Sequence, residues 1–273
     1  MSIKMIALDM DGTTLNSKGE LSELTKETIE RAIAAGIEVV VSTGRAYSAL
    51  PEPIYSIKGL KYAVTSNGAC IMDLPAKKQI YGDYLQKKTL ERVIEIGQEY
   101  GLWLEAFTDG KAYISREFYE NIKKESCSYR NTEYVLRTRI PVEDIFKMIR
   151  DNEGKIENIN FFFDSIEQLE KYRDIIEAIP EGNTTSSFKN NIEVGGKGTS
   201  KKKAVAELLK MKGFSKEELM GIGDAPNDIE MIEYAGIGVA MGNAWGDTKN
   251  YADYVTDNND EDGVAKAILK FAL

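Results

Sequence analysis

Two aspartates, Asp9 and Asp11, stand two residues apart in "LDMDGTTL", directly after the apolar run Met5-Ile6-Ala7. Other apolar runs also end in polar groups: Ser42-Thr43-Gly44, then Ser66-Asn67, then Asp224 with Asn227 and Asp228. In open α/β sheets ligands bind just beyond the carboxyl ends of the parallel strands, so these groups would meet in one crevice. Carboxylates packed that closely repel one another unless a cation lies between them. The chain has 0 histidines, which removes Ser-His-Asp and Cys-His nucleophiles and His-ligated zinc together. A carboxylate cluster with neither His nor Cys suits a hard ion, and Mg²⁺ is the candidate.

Beside such an ion Asp9 can do more than ligate. One of its oxygens can hold the metal while the other attacks phosphorus, giving an aspartyl-phosphate. Asp11 lies on the same side of an extended chain, where it can protonate the leaving oxygen and then activate water. Gly12 permits a tight turn, and Thr13 and Thr14 supply hydroxyls that orient the site. A transferred phosphoryl group needs donors around its equatorial oxygens. Thr43 and the Gly44 N–H, at a predicted helix N-terminus, meet that need. A lysine is also required, and "GGKGTSKKKAV" offers Lys201 at the start of a helix or Lys197 inside the Gly-rich loop.

Taken singly these signals are weak, because acidic pairs cap helices and lysine runs face solvent. "GGKGTSK" fails the Walker A spacing, and neither "GIGDAP" nor "GIGVAM" completes a dinucleotide-binding GxGxxG. Their order along the chain, each at the end of a predicted strand, is what gives them weight.

The elements that must position these residues alternate. "MIALDMD", "IEVVVST" and "KYAVTSNGA" read as buried strands. A helix over "SELTKETIERAIAAG", opened by Ser22 and stopped by Gly36, and another after Gly44-Arg45 separate them. Near-continuous apolar strands in βαβ alternation predict a parallel sheet covered on both faces. After about residue 83 the pattern changes to helix "KKTLERVIEIGQEYG", a hairpin at Asp109-Gly110, a strand at "NINFFFD" and a helix at "SIEQLEKYRDIIEAI". The first pattern returns at "NIEVGGKGTSKKKAVAELLKMKG". The predicted organisation is therefore a core of residues 1–83 plus 188–273, interrupted by an α+β domain over 84–187.

Composition narrows the function classes. At 273 residues, with 42% hydrophobic and 29% charged residues, the chain reads as globular. It has no apolar run long enough for a membrane span and no signal-peptide pattern at its start. Cys70 and Cys127 make no disulfide framework and read as small buried hydrophobes, so the expectation is cytoplasmic. A net charge of −9 argues against nucleic-acid binding and means that an anionic substrate needs local positive charge.

The chain strongly resembles the haloacid dehalogenase superfamily of phosphohydrolases, in its Cof-type branch with a C2 cap inserted in the core. "DMDGTTL", "STGR" and "GDAPNDIEM" match the first, second and fourth motifs, and "TSNGA", "VAMGNA" and "DEDGVAKAI" are phrased as in this branch. The resemblance covers essentially the whole chain and implies a Rossmann-like core with an α+β cap. It implies Asp9 as nucleophile and metal ligand, with the Met10 carbonyl beside the phosphate site, and Asp11 as general acid/base and metal neighbour through its carbonyl or carboxylate. Thr43 and Gly44 would bind phosphate, Asp224 the metal and Asn227 the phosphate, while Asp228 supports the metal loop. The third motif departs from the pattern, reading Ser200-Lys201-Lys202 without the usual glycine, and alignment from Glu193 puts Lys201 on the phosphate lysine.

The resulting expectation is a Mg²⁺-dependent phosphatase of small phosphorylated metabolites, with sugar phosphates the default class from the family. The cap would close over the crevice and choose the leaving group, with Trp103, Glu105, Tyr113 and Arg116 as possible contacts. No nucleic-acid or membrane partner is expected, and the protein is taken as a monomer or homodimer. A phosphomutase or sucrose-phosphate-type phosphatase shares this core and cap class. A receiver-type phosphoacceptor collects similar residues but needs only ~120 residues, no cap and no DxDGT. A non-catalytic phosphometabolite sensor is the remaining alternative.

Overall fold

The computed structural model describes residues 2–127 and 131–273. It divides into two compact units: Met1–Gly44 with Leu50–Tyr81 and Ser200–Leu273, and Arg45–Ala49 with Gly82–Thr199.

The first unit begins with β1 (Met5–Leu8), α1 (Glu23–Ala34), β2 (Glu38–Ser42), α2 (Glu52–Tyr55) and β3 (Tyr62–Thr65). An antiparallel pair follows, β4 (Cys70–Asp73) on β3, then β5 (Lys78–Gly82) at the sheet edge. The second unit runs α3 (Lys87–Tyr100), β6 (Leu104–Thr108), β7 (Lys111–Ser115), α4 (Arg116–Glu125), α5 (Thr132–Thr138) and β8 (Arg139–Val142). It continues through α6 (Ile145–Asp151), β9 (Ile156–Phe162), α7 (Ile166–Glu177), β10 (Asn183–Thr185) and β11 (Asn191–Gly195). The chain then returns to the first unit with α8 (Lys201–Lys212), β12 (Leu219–Gly223), α9 (Ile229–Tyr234), β13 (Ile237–Ala240), β14 (Tyr254–Val255) and α10 (Gly263–Phe271).

The first unit holds an 8-stranded sheet ordered β14-β13-β12-β1-β2-β3-β4-β5. β1 pairs in parallel with β2 on one side and with β12 on the other. Chain order reverses there, which makes its carboxyl end the switch point where a crevice opens. Every residue of β1 is buried, as a strand covered on both faces requires. Met5, Ala7, Val40 and Val64 pack against Ala204, Val205, Leu208 and Leu209 of α8. The Ser22 side chain caps α1 by accepting from the Thr25 N–H at 3.1 Å.

The second unit is a 6-stranded sheet ordered β10-β11-β9-β6-β7-β8. Leu104, Ala106, Ile159, Phe161, Ile192 and Val194 cluster with Val93 of α3, Ile149 of α6 and Ile176 of α7. Ile114 and Phe162 cluster with Phe118 and Ile122 of α4 and Val135 of α5.

Two expectations are corrected here. β11 pairs antiparallel with β9 and β10, so the chain rejoins the first unit at Ser200 rather than at residue 188. Its alternation, Ile192 and Val194 against Asn191 and Glu193, is the period-2 signature of a strand in that antiparallel sheet. The helix expected after Gly44-Arg45 is only a 3₁₀ turn at Tyr47–Ala49 and the one-turn α2. Pro51 explains the break between them, since a proline supplies no N–H and disfavours helical geometry in the residue before it, whereas Pro53 sits in the first turn of α2, where a proline is tolerated. Cys70 is buried and Cys127 half-buried, and neither forms a disulfide. Among the described residues no helix is long and apolar enough to cross a membrane.

Candidate active site

Asp9 follows the last residue of β1, and its N–H donates to the Ile222 carbonyl of β12 at 2.9 Å. The chain then turns. The Leu15 N–H donates to the Met10 carbonyl at 2.9 Å, and the Thr14 hydroxyl donates to the Asp9 carbonyl at 2.5 Å. Gly12, at φ +81°, makes this turn possible, and an added Cβ there would lie 2.5 Å from Asp224 Oδ2.

The Lys201 side chain, 1% exposed on the first residue of α8, reaches this turn. Its Nζ lies 2.5 Å from Asp9 Oδ1 and 2.6 Å from Asp228 Oδ1. Lys197, the alternative lysine, is exposed. Asp228 Oδ2 accepts from the N–H groups of Asp224 and Ala225 at 3.0 and 3.1 Å, which bends the loop after β12 around its carboxylate. Thr13 donates to Asp224 Oδ1 at 2.8 Å. One oxygen from each of Asp9, Asp224 and Asp228 lies within 4.8 Å of the others. Asp11 is half-buried and stands outside this acidic cluster, because the chain leaves the extended conformation after β1.

The electrostatics follow from this packing. Burial holds the Asp9 carboxyl well above the usual carboxylate range; the Asp228 and Asp224 charges push the same way, against Lys201. Burial and the Asp228 charge push Asp224 up to about 7. Burial alone would favour a neutral Lys201 amine, but the Asp228 and Asp9 carboxylates outweigh it and raise its pKa. A buried group of carboxylates that resist ionising together fits a hard divalent cation, and oxygen is the donor such an ion takes. Both Asp228 oxygens are engaged within the protein, which leaves Asp9 and Asp224 as the carboxylates with room to ligate.

Thr43 and Gly44 lie at the end of β2, where the Thr43 N–H donates to the Val64 carbonyl at 2.9 Å. Asn227 Nδ2 donates to Asn67 Oδ1 at 3.0 Å. Two asparagines outside the expected site fix the turn after β1. Asn243 Nδ2 donates to the Gly12 carbonyl at 2.8 Å, and Asn259 Nδ2 to the Leu15 carbonyl at 2.9 Å. The sequence signal for Asn243 is its place just beyond β13, another parallel strand end. In the second unit Trp103 stacks on Phe118 at 4.7 Å, and Arg116 pairs with Glu143. Tyr113 packs on the unit's main core cluster. Glu105, wholly buried, accepts from Nε and Nη2 of Arg139, each at 2.8 Å. Each of these four possible contacts thus has a partner within its own unit.

The chain is similar to known proteins over nearly its whole length. Residues 6–268 match the haloacid dehalogenase-like hydrolase family. The chain belongs to that family. Among its relatives is the Bacillus subtilis (strain 168) 5-amino-6-(5-phospho-D-ribitylamino)uracil phosphatase YcsE, 34% identical over 100% of this chain and 97% of that protein. A haloacid dehalogenase-like hydrolase structure from B. subtilis superposes with a TM-score of 0.84 at 30% identity, covering 99% of this chain and 100% of that one. The subclass IIB sugar phosphatase BT4131 superposes with a TM-score of 0.82 at 25% identity, covering 98% of each chain. These full-length matches make the protein a Cof-type haloacid dehalogenase-like hydrolase, with a parallel-rich α/β core and a subclass IIB cap.

Proposed function

We propose that this protein is a Mg²⁺-dependent phosphatase of small phosphorylated metabolites, working through an aspartyl-phosphate on Asp9. That it is a phosphoric monoester hydrolase follows from its family and its phosphatase relatives. The observation that carries the finer reading is the buried Lys201 ammonium 2.5 Å from Asp9 Oδ1, beside Asp224 and Asp228.

In this reading Asp9 attacks phosphorus in line with the leaving oxygen, and Asp11 gives that oxygen a proton. Asp11 then takes a proton from the water that hydrolyses the aspartyl-phosphate. Lys201, the Thr43 hydroxyl and the Gly44 N–H hold the phosphoryl oxygens as their charge shifts. Asp9 and Asp224, with the Asp11 carbonyl or carboxylate, would hold Mg²⁺, which would supply charge neutralisation at the phosphoryl group, and the Met10 carbonyl lies beside it. Asp228 fixes Lys201 and the Asp224 loop, and Thr13 orients the Asp224 carboxylate.

Phosphorylated sugars and sugar alcohols are the favoured substrates, supported by the activities named for YcsE and BT4131. An Escherichia coli (strain K12) relative, 28% identical over 100% of both chains, is a pyridoxal phosphate phosphatase, so aromatic phosphate esters belong in the same search. The same reading has the enzyme acting in the cytoplasm, as a monomer or homodimer. The test is a panel of sugar, ribityl and pyridoxal phosphates, with inorganic phosphate release measured in Mg²⁺ and in EDTA. Multiple-turnover release in Mg²⁺ alone is expected. Return of the phosphoryl group to the sugar would make the protein a mutase, and no release from any ester would remove the reading.

A further inference from the structure

One buried segment of the first unit has no role in the scheme above. Ser66, Asn67 and Gly68 follow β3, and all have positive φ, at 51°, 54° and 99°. Two successive non-glycine residues in the left-handed region are uncommon, and such strain clusters at functional sites. Asparagine enters that region more readily than other residues with side chains.

The segment touches two of the strand-end loops and the start of α8. The Asn67 N–H donates to the Thr43 carbonyl at 3.1 Å. A Cβ on Gly44 would stand 3.0 Å from Asn67 Oδ1, so the amide fills the space beside that glycine. At Gly68 a Cβ would lie 2.1 Å from the Ser200 carbonyl and 2.9 Å from the Lys201 nitrogen, so the turn abuts the start of α8.

The third contact is the amide pair, in which Asn227 Nδ2 donates to Asn67 Oδ1 at 3.0 Å. It leaves Asn67 Nδ2 and Asn227 Oδ1 buried without a hydrogen-bond partner, although Asn67 is only 4% exposed. Buried amide donors in folded proteins normally have an acceptor, and leaving one bare is unfavourable. Turning both amides over would pass the bare donor to Asn227; with the amides as they stand it is Asn67 Nδ2. That donor stands among Thr43, Gly44 and Asn227, the residues given the phosphoryl group above. An anion is the acceptor that would satisfy it.

We propose that Asn67 is a further phosphate-binding residue, its side-chain N–H donating to a phosphoryl oxygen while its Oδ1 holds Asn227. The inference rests on the phosphatase reading. The strained turn then has a purpose: it aims an amide, fixed on the Thr43 and Asn227 loops, where a more extended residue could not.

The test compares wild type with Asn67→Gly and Asn67→Asp, measuring p-nitrophenyl phosphate turnover in Mg²⁺ and competitive inhibition by inorganic phosphate. Glycine keeps the left-handed backbone and removes only the amide, whereas aspartate keeps the shape and sets a negative charge against the anion. Asn67→Gly is expected to raise the inhibition constant of inorganic phosphate about 10-fold or more, as loss of a hydrogen bond to a charged group does. Asn67→Asp is expected to raise it further and, being nearly isosteric, gives the answer should the glycine variant fail to fold. Folded variants with a wild-type inhibition constant would overturn the proposal, even if kcat fell. A wild type that releases no phosphate from any ester would instead refute the phosphatase reading itself, so the two failures are distinct.

Discussion

Lys201 and Asp228 form a fully buried ion pair, 2.6 Å apart, and the same ammonium lies 2.5 Å from Asp9. A buried lysine is tolerated here because two carboxylates face it and together hold its proton. The pair also fixes the start of α8 to the loop after β12, since the other Asp228 oxygen accepts from the N–H groups that open the Asp224 turn.

Removing this lysine should therefore affect both chemistry and folding. Lys201→Ala is expected to lower kcat/KM by roughly 10²–10³-fold, the range found for one lost electrostatic donor. It should also destabilise the fold by about 3 kcal/mol, because it leaves buried carboxylates without their counter-ion. Lys197→Ala, on an exposed side chain, should leave both within about 0.5 kcal/mol. Steady-state kinetics and denaturant melts of the two variants check this, and the reverse ranking would reassign the phosphate lysine.

Asp9→Asn tests the nucleophile. An amide keeps the shape and can still meet Lys201 through its oxygen, but it cannot attack phosphorus. Phosphate release should fall by at least about 10³-fold, as when a covalent nucleophile is removed. Turnover within a few-fold of wild type would show that a group other than Asp9 takes the phosphoryl group.

The raised Asp224 pKa gives a metal prediction with a definite sign. Burial and the Asp228 charge push the group up to about 7 in the metal-free fold, against about 4 when unfolded. A raised folded value means that its contribution to stability is complete below about pH 4 and is lost as pH rises through about 7. A cation takes the place of that proton, so Mg²⁺ should raise the melting temperature more at pH 8 than at pH 5. Differential scanning calorimetry with Mg²⁺ and with EDTA at both pH values reads this directly. An equal shift at both, or a larger one at pH 5, would contradict a proton–metal exchange at Asp224.

Much of this was legible in the sequence because it rests on short periodicities. β1, β2 and β12 read as buried strands, and the residues closing them, Asp9, Thr43 and Asp224, fall where parallel strands end. The reading failed where the chain stopped following its local pattern. Asp11 shares a face with Asp9 only if the strand continues, whereas β1 ends at Leu8 and Asp11 stands outside the group formed by Asp9, Asp224 and Asp228. β11 carries ordinary alternation, and nothing within it says that its partner is β9 rather than a strand of the first unit. Asn67 was visible as a strand end, but its importance lies in three successive positive φ values and a contact with Asn227, 160 residues away. Such a relation appears only when the fold brings the two loops together.

The turn at Gly12 supplies the last prediction, because Gly19 provides a control with nearly the same backbone. Their φ values are +81° and +77°, so alanine meets similar left-handed strain at each, of about 1 kcal/mol. Around Gly19 a new Cβ meets nothing within 4 Å, whereas at Gly12 it meets Asp224 Oδ2 at 2.5 Å. Asp224 cannot simply swing aside, because Thr13 holds its other oxygen at 2.8 Å. Gly19→Ala should thus lower stability by about 1 kcal/mol and leave catalysis unchanged. Gly12→Ala should lose more stability and also weaken Mg²⁺ activation by about 10-fold or more, the effect of disturbing a ligand's support. Mg²⁺ titrations of phosphate release, with melts of both variants, separate the two effects. Equal behaviour of the variants would mean that Asp224 relaxes freely, and that the close approach of Gly12 does not position the metal carboxylate.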